Sequence, residues 1–322
     1  MIIIRIISVT ELHYPQKTTA NISLKKITIL SIFTIFTFKV KIGCISVIQA
    51  SLITLDLHYL CSKIIQSMND HILQEANWKS IEDAKIKIAI LPWGATEAHN
   101  YHLPYGTDTM VAERISCDAA AVANKKKAGA IVLPSVAYGV NTGQIDVKLC
   151  MNINPSTQHA ILSDILYVLD THGIDKLVIV NGHGGNNFKQ IIRELTIEYP
   201  DIIICSTDWW KICDEKSYFD EPGDHAGELE TSVMQAIRSE LVLPLDEAGD
   251  GRVHGFKIEG LREKWIWTPR RWICISDDTG VGNPKAATAA KGERFLKDCA
   301  EKLAAFLVDF SKVKSEDELY EP

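Results

Sequence analysis

Four short apolar runs set the strongest limit on how this chain can fold: IKIAILPWG at 86–94, GAIVLPSVAYG at 129–139, KLVIVNG at 176–182 and IIICST at 202–207. None of them alternates apolar with polar residues, so each is expected to be buried on both faces, as strands of a parallel sheet are. Helical patterns lie between them, at 109–127, 157–172 and 187–198. This βαβα order predicts an α/β fold, a three-layer α/β/α sandwich with a mostly parallel central sheet. Two further helices are expected, at about 225–239 and at 284–310, and then a polar, frayed tail over 311–322. In open α/β sheets ligands collect beyond the carboxyl ends of the strands, and His183 stands just past one such end.

The 322 residues are 46% hydrophobic, enough for a substantial core. Charge divides unevenly: residues 1–67 carry about +5 and the remainder about −12. An acidic body without a basic stripe argues against nucleic-acid binding. The leader's longest apolar run, ITILSIFTIFTF at 27–38, falls short of the roughly 20 residues that span a bilayer. Residues 1–67 are therefore read as an N-terminal extension outside the functional fold: a disordered segment, a mis-assigned start with Met68 as the true one, or a targeting segment. The functional domain is assigned to 68–310, with no membrane contact expected. Eight cysteines without a C-x-x-C pair indicate neither a zinc ribbon nor a disulfide framework, and a cytoplasmic location is expected.

Three clusters carry chemistry. The first, GATEAHNYHLPYGTD at 94–108, brings Glu97, His99, His102 and Asp108 into one loop too rich in Pro and Gly for a helix. Such a set suits metal ligation, although Asp108 could instead cap the following helix and Glu97 could be a solvated loop charge. The second, NGHGGNN at 181–187, surrounds His183 with Gly182, Gly184 and Gly185, which let backbone approach a ligand closely. A phosphate cradle is the rival, but the G-x-G-x-x-G spacing and the P-loop lysine are missing.

The third cluster is GDHAGELETS at 223–232, in which Asp224 is a candidate helix cap and His225 falls in the first turn. On a helical wheel Glu228 shares a polar row with Thr231, Ser232 and Gln235, while Glu230 lies beside the apolar stripe and points inward. A buried carboxylate needs a partner. Glu97, Asp108 and Glu230 with a bridging hydroxide would neutralise two divalent cations, a balance that a partly buried site favours. Mixed oxygen and nitrogen ligation suits Zn, Mn or Fe.

Together the three clusters, followed by GNPKAATAAKGERF, resemble the creatininase (creatinine amidohydrolase) family, which includes formamidopyrimidine deformylases and mycofactocin precursor peptidases. The resemblance covers most of residues 75–310. It implies a hexameric three-layer α/β hydrolase with two divalent metals per chain. Glu97 and His183 would bind one metal and His99 the other, with Asp108 bridging them. His225 would be the catalytic histidine that carries a proton to the leaving nitrogen. Three departures stand out. Gly185 occupies the place of a family glutamate ligand, for which Glu230 is the candidate replacement, as ligand and catalytic carboxylate. Glu221 occupies the place of a lid tryptophan, and CMNINPST at 150–157 replaces a Gly-Thr step.

These departures point away from creatinine as substrate. The expected activity is metal-dependent hydrolysis of a C–N bond in a cyclic or small amide, other than a peptide bond, through a metal-bound hydroxide. A deformylase of an N-formyl compound and a catalytically silent metal-binding paralogue are the alternatives. Trp209 or Trp210 would form an aromatic wall, Gly184 and Gly185 would line the substrate site, and His102 would orient the ligand. His159, His172 and His254 are read as surface groups, and Trp265, Trp267 and Trp272 as a subunit contact or wall.

Overall fold

The computed structural model describes residues 70–221 and 223–321. The expectations for residues 1–67 and the start at Met68 lie outside the described residues. Strands β1 (Ile88–Trp93), β2 (Ala130–Val132), β3 (Lys176–Asn181) and β4 (Ile203–Asp208) form a sheet in the order β2-β1-β3-β4. Every pairing in it is parallel, with Ile90 opposite both Val132 and Val178 and with Asn181 opposite Asp208.

The period-two geometry of a strand explains why β1, β2 and β3 are buried on both faces, whereas β4, at the sheet edge, is only partly covered and leaves Ser206 exposed, against the expectation for its run. Ile88, Ile90, Val178 and Val180 enter one core with helices α1 (Thr107–Asn124), α4 (Glu228–Ile237) and α5 (Ala289–Phe310). Ala89, Leu91, Trp93, Leu177 and Ile179 enter the other with α2 (Pro155–Thr171) and α3 (Phe188–Glu198). Two cores on the two faces of one sheet make the expected three-layer sandwich. Among the described residues no helix is long and apolar enough to cross a membrane.

Local chemistry sets the boundaries. The amide of Asn124 brackets Ala130, donating to its carbonyl and accepting its N–H at 2.8 Å each, and so turns the end of α1 directly into β2. Pro155 starts α2 at its first turn, where a missing N–H costs nothing. Thr288 caps α5 by accepting the Lys291 N–H, so the helix begins five residues later than the apolar spacing predicts.

The helix expected at about 225–239 needs correction. Gly223–His225 instead forms a short strand, β5, antiparallel to β6 (Val281–Gly282). Ala226 then takes a left-handed conformation (φ 52°), and Gly227 precedes the helix as its N-cap. Asp224 therefore caps nothing, and its carboxylate pairs with Arg270 at 3.0 Å. The polar row of Glu228, Thr231 and Ser232 proves to be buried. The Glu228 carboxylate accepts the N–H groups of Asp220 and Glu221 at 2.8 and 2.7 Å and pairs with Lys291 of α5.

Helices α4 and α5 meet at Gly292, where an added Cβ would lie 2.0 Å from the Ser232 carbonyl oxygen. Alanine would raise helix propensity by about 1 kcal/mol. The overlap is with backbone, however, and overpacking costs roughly 1–3 kcal/mol. Gly292→Ala is therefore expected to lower the melting temperature by roughly 2–8 °C in a thermal melt; a rise would show that the helices are not in close contact there.

Candidate metal centre

The site lies beyond the carboxyl ends of β1 and β3. The loop leaving β1 folds back on itself, with the Glu97 N–H on the Tyr105 carbonyl at 3.1 Å and Asn100 at φ 55°. It delivers Glu97 and His99 inward, and both are buried. Asp108 follows in the first turn of α1, where the N-terminal end of the helix dipole favours a carboxylate. It does not cap the helix, because Gly106 holds the N-cap and the Asp108 side chain turns to the histidines. His183 comes from the turn after β3. That turn packs tightly on α1: a Cβ on Gly182 would sit 2.3 Å from the Asp108 carbonyl oxygen.

Asp108 is the meeting point. Its Oδ1 lies 2.8 Å from His99 Nε2 and its Oδ2 lies 3.2 Å from His183 Nδ1. His183 Nδ1 is also 2.7 Å from Glu97 Oε1, and His99 Nε2 is 3.9 Å from Glu230 Oε2. Two donor sets thus share Asp108: Glu97, Asp108 and His183 on one side, and His99, Asp108 and Glu230 on the other, each with ligand atoms within 4.8 Å of one another. A third set, Glu97, His99 and His225, satisfies the same spacing.

Each of the three histidines spends one ring nitrogen on a backbone carbonyl. His99 Nδ1 faces the Glu97 carbonyl at 3.1 Å, His183 Nε2 the Val140 carbonyl at 3.1 Å and His225 Nε2 the Ala98 carbonyl at 2.8 Å. A carbonyl only accepts, so each of these nitrogens carries a proton and the other points into the cluster. In the neutral tautomer His183 Nδ1 and Asp108 Oδ2 then present lone pairs to each other, and Oδ2 receives no hydrogen bond although it is buried. Two acceptors in a buried space call for a cation, and mixed carboxylate and imidazole donors suit a divalent metal. The residues present fit such a group.

Electrostatics follow from burial and proximity. Burial pushes His99 and His183 down, but the neighbouring carboxylates outweigh it, holding His183 well above its ordinary value and His99 at about 10, so that without a metal a proton on each inward nitrogen takes the place of the cation. Burial raises Asp108, yet His99 and His183 override it and keep that carboxyl far below the usual range. Glu97 and Glu230 go the other way, raised by burial, Glu230 to about 7. His225 is driven well below its ordinary value by burial and by His99, so it is neutral at pH 7.

An outer layer holds the cluster. Gln144 donates its amide N–H to Glu97 Oε2, and Cys150 links Gln144 to the loop by donating to Gln144 Oε1 and accepting the Ala98 N–H, both at 3.2 Å. Gln144 and Cys150 escaped the sequence reading because each is a lone residue with no spacing signature; the only hint was that CMNINPST departs from the family pattern. Trp272 also proves closer to the chemistry than expected, its ring 4.6 Å from that of His225 and 5.0 Å from the Arg270 guanidinium.

The remaining expected residues divide. Glu230 joins the cluster and accepts the Ala226 N–H. Two cavities of about 630 and 730 Å³ meet at Glu97, His183, Gly184 and His225. Trp209 and Trp210 line the first and Gly185 the second, but Trp209 is buried and packs edge-on against Phe295 as core. His102 lines neither. It is buried on Thr231 at 2.8 Å, and burial lowers it to about 4, so it is neutral and turned from the substrate space. His159 is half-buried beside Glu194, His172 is exposed, and His254 is exposed beside Asp277 at the rim of the second cavity.

The sequence pattern of the creatininase family (creatinine amidohydrolase) matches residues 74–307. A mycofactocin precursor peptide peptidase of Mycobacterium ulcerans (strain Agy99) is 29% identical over 227 residues, covering 67% of this chain and 84% of that protein. The crystal structure of a putative creatinine amidohydrolase from Bacteroides fragilis NCTC 9343 is 44% identical, with TM-score 0.74, over 79% of this chain and 99% of its own. A mutant creatininase of Zn-Zn type, 22% identical with TM-score 0.64, covers 75% of this chain and 98% of its own, and shares the fold.

The raised Glu230 carboxyl gives a pH signature. Its folded value of about 7 exceeds the ordinary 4.5, so its contribution to stability is complete below 4.5 and is lost as pH rises through 7. In melts of EDTA-treated protein, wild type should lose stability relative to Glu230→Gln between pH 4.5 and 7, with the difference constant on either side. A difference independent of pH across that range would contradict the buried, raised carboxyl.

Proposed function

The chain belongs to the creatininase family, and we propose that it is a metal-dependent amidohydrolase cleaving an amide C–N bond. One observation carries the reading: three buried imidazoles, each tied to a backbone carbonyl, aim their second nitrogens at carboxylates of which Asp108 serves two donor sets. The mycobacterial relative is named a peptidase, so the reading extends to peptide bonds as well as to cyclic or small amides.

Glu97, Asp108 and His183 would hold one divalent ion, and His99, Asp108 and Glu230 a second. When bound, such ions acidify water and polarise an amide carbonyl. Glu230 thereby takes the part left open by Gly185, where a side chain would meet the Val140 carbonyl at 2.2 Å. His225 is left for proton transfer. Its Nε2–H is fixed on Ala98 and its Nδ1 lies 3.7 Å from Glu97 Oε1, facing the same space. A neutral imidazole held there accepts a proton at Nδ1 and returns it to the departing nitrogen. Gln144 fixes the rotamer of Glu97 and so the position of its free oxygen.

Metal content measured by inductively coupled plasma mass spectrometry is expected to fall from two ions per chain to one in Glu230→Gln. Asp108→Ala should lose both ions and all amide hydrolysis with unchanged circular dichroism; retained turnover would sink the proposal. Gln144→Ala should weaken metal binding by roughly 10–100-fold in a chelator competition, as loss of an outer hydrogen bond does elsewhere. Unaltered affinity would make Gln144 a packing residue only.

A further inference from the structure

The two cavities converge on the same cluster from different sides. The first is lined by residues within 215–221 and 223–224 and the second by residues within 253–272, and Glu97, His183, Gly184, Asp224, His225 and Arg270 line both. Each alone reaches the roughly 300–1,000 Å³ typical of a small-molecule site, so a compact cyclic amide at the junction would leave most of both arms unfilled.

Their charges are opposite. The Asp224–Arg270 pair lines both arms and is neutral in sum, while in the first the single Lys291 serves both Asp220 and Glu228. Glu215 and Glu221 line this arm without an ion-pair partner among the described residues, and Lys216 is the one unpaired cation beside them. The second arm presents Arg262 and Lys264, neither paired with a carboxylate among the described residues. The Arg262 guanidinium contacts only carbonyl oxygens, those of Lys257 at 3.2 Å and Phe256 at 3.5 Å.

Resting on the amidohydrolase reading, we propose that the cavities are two arms of one channel for an extended, peptide-like amide. Its cationic end lies by Glu215 and Glu221, its carboxylate end by Arg262 and Lys264, and its scissile carbonyl at Glu97, His183 and His225. An oligopeptide with free ends has this polarity by covalent order, with the ammonium before the bond and the carboxylate after it. Complementary charge fixes its direction in the channel. Water adds across the broken C–N bond: the fragment in the first arm gains a carboxylate, and the fragment in the second gains the amine that takes the proton from His225. No oxidant or reductant takes part.

The test uses tetra-alanine with free ends, its N-acetyl form and its C-terminal amide, titrated calorimetrically into EDTA-treated protein and assayed for cleavage after reloading with Zn²⁺. The free peptide is expected to bind at least tenfold more tightly than either blocked form. The Arg262→Ala/Lys264→Ala double variant should erase the preference over the amide alone, and Glu215→Gln/Glu221→Gln the preference over the acetylated form alone. Equal binding of the three peptides, no binding of any, or variants that weaken all three alike would overturn the inference. If reloaded protein hydrolyses formamide or creatinine but shows no preference among the peptides, the inference falls and the amidohydrolase reading stands. If the binding preferences are present but no amide is cleaved, that reading falls and the channel stands.

Discussion

The Asp108 carboxylate, buried between His99 and His183, is the constraint on which the rest of the arrangement depends. A carboxylate removed from water costs several kcal/mol unless it is paired and hydrogen-bonded. Here the compensation comes from three separate pieces of chain: the loop after β1, the turn after β3 and the N-terminus of α1. None can shift without exposing an uncompensated charge to the others. The close approach of Gly182 to the Asp108 backbone is the steric side of the same requirement, because a bulkier residue would separate the two histidines from the carboxylate they share.

Around this centre the fold supplies direction more than contact. His99, His183 and His225 could each rotate if they were held only by packing. The carbonyls of Glu97, Val140 and Ala98 fix the ring orientations, so the second nitrogen of each faces inward. Gln144 and Cys150 do the same for Glu97. Further out, Glu228 ties the backbone of Asp220 and Glu221 to α4 and α5, and so fixes the wall of the first cavity. One carboxylate in GELE faces the histidine cluster and the other ties α4 to α5.

The layers and most of the cluster were legible in the sequence because they rest on local signals. Runs apolar on both faces mean a doubly covered sheet, and Glu97, His99, Asp108 and His183 stand beside strand ends that those runs mark. What escaped rests on single residues brought in from a distance. Gln144 is 47 positions from Glu97, and Lys291 is 63 positions from Glu228. Helical-wheel reasoning pointed Glu230 inward but gave Glu228 only a polar row, since the wheel does not know that α5 passes alongside and buries that row. His102, prominent in its motif, is turned to Thr231 and away from the cavities, an orientation that spacing alone does not encode.

The sequence by itself determined the alternation of strand and helix, the order of the layers and the residue types available at the strand ends, because periodicity and turn chemistry are properties of neighbours along the chain. Only the tertiary structure decided which carboxylate joins the buried histidine cluster and which pairs with Lys291, which nitrogen of each histidine faces inward, and that two oppositely charged cavities open on one cluster. Those are facts about distances and burial between segments far apart in sequence, and burial is what turns an ordinary glutamate or histidine into a group with altered proton affinity.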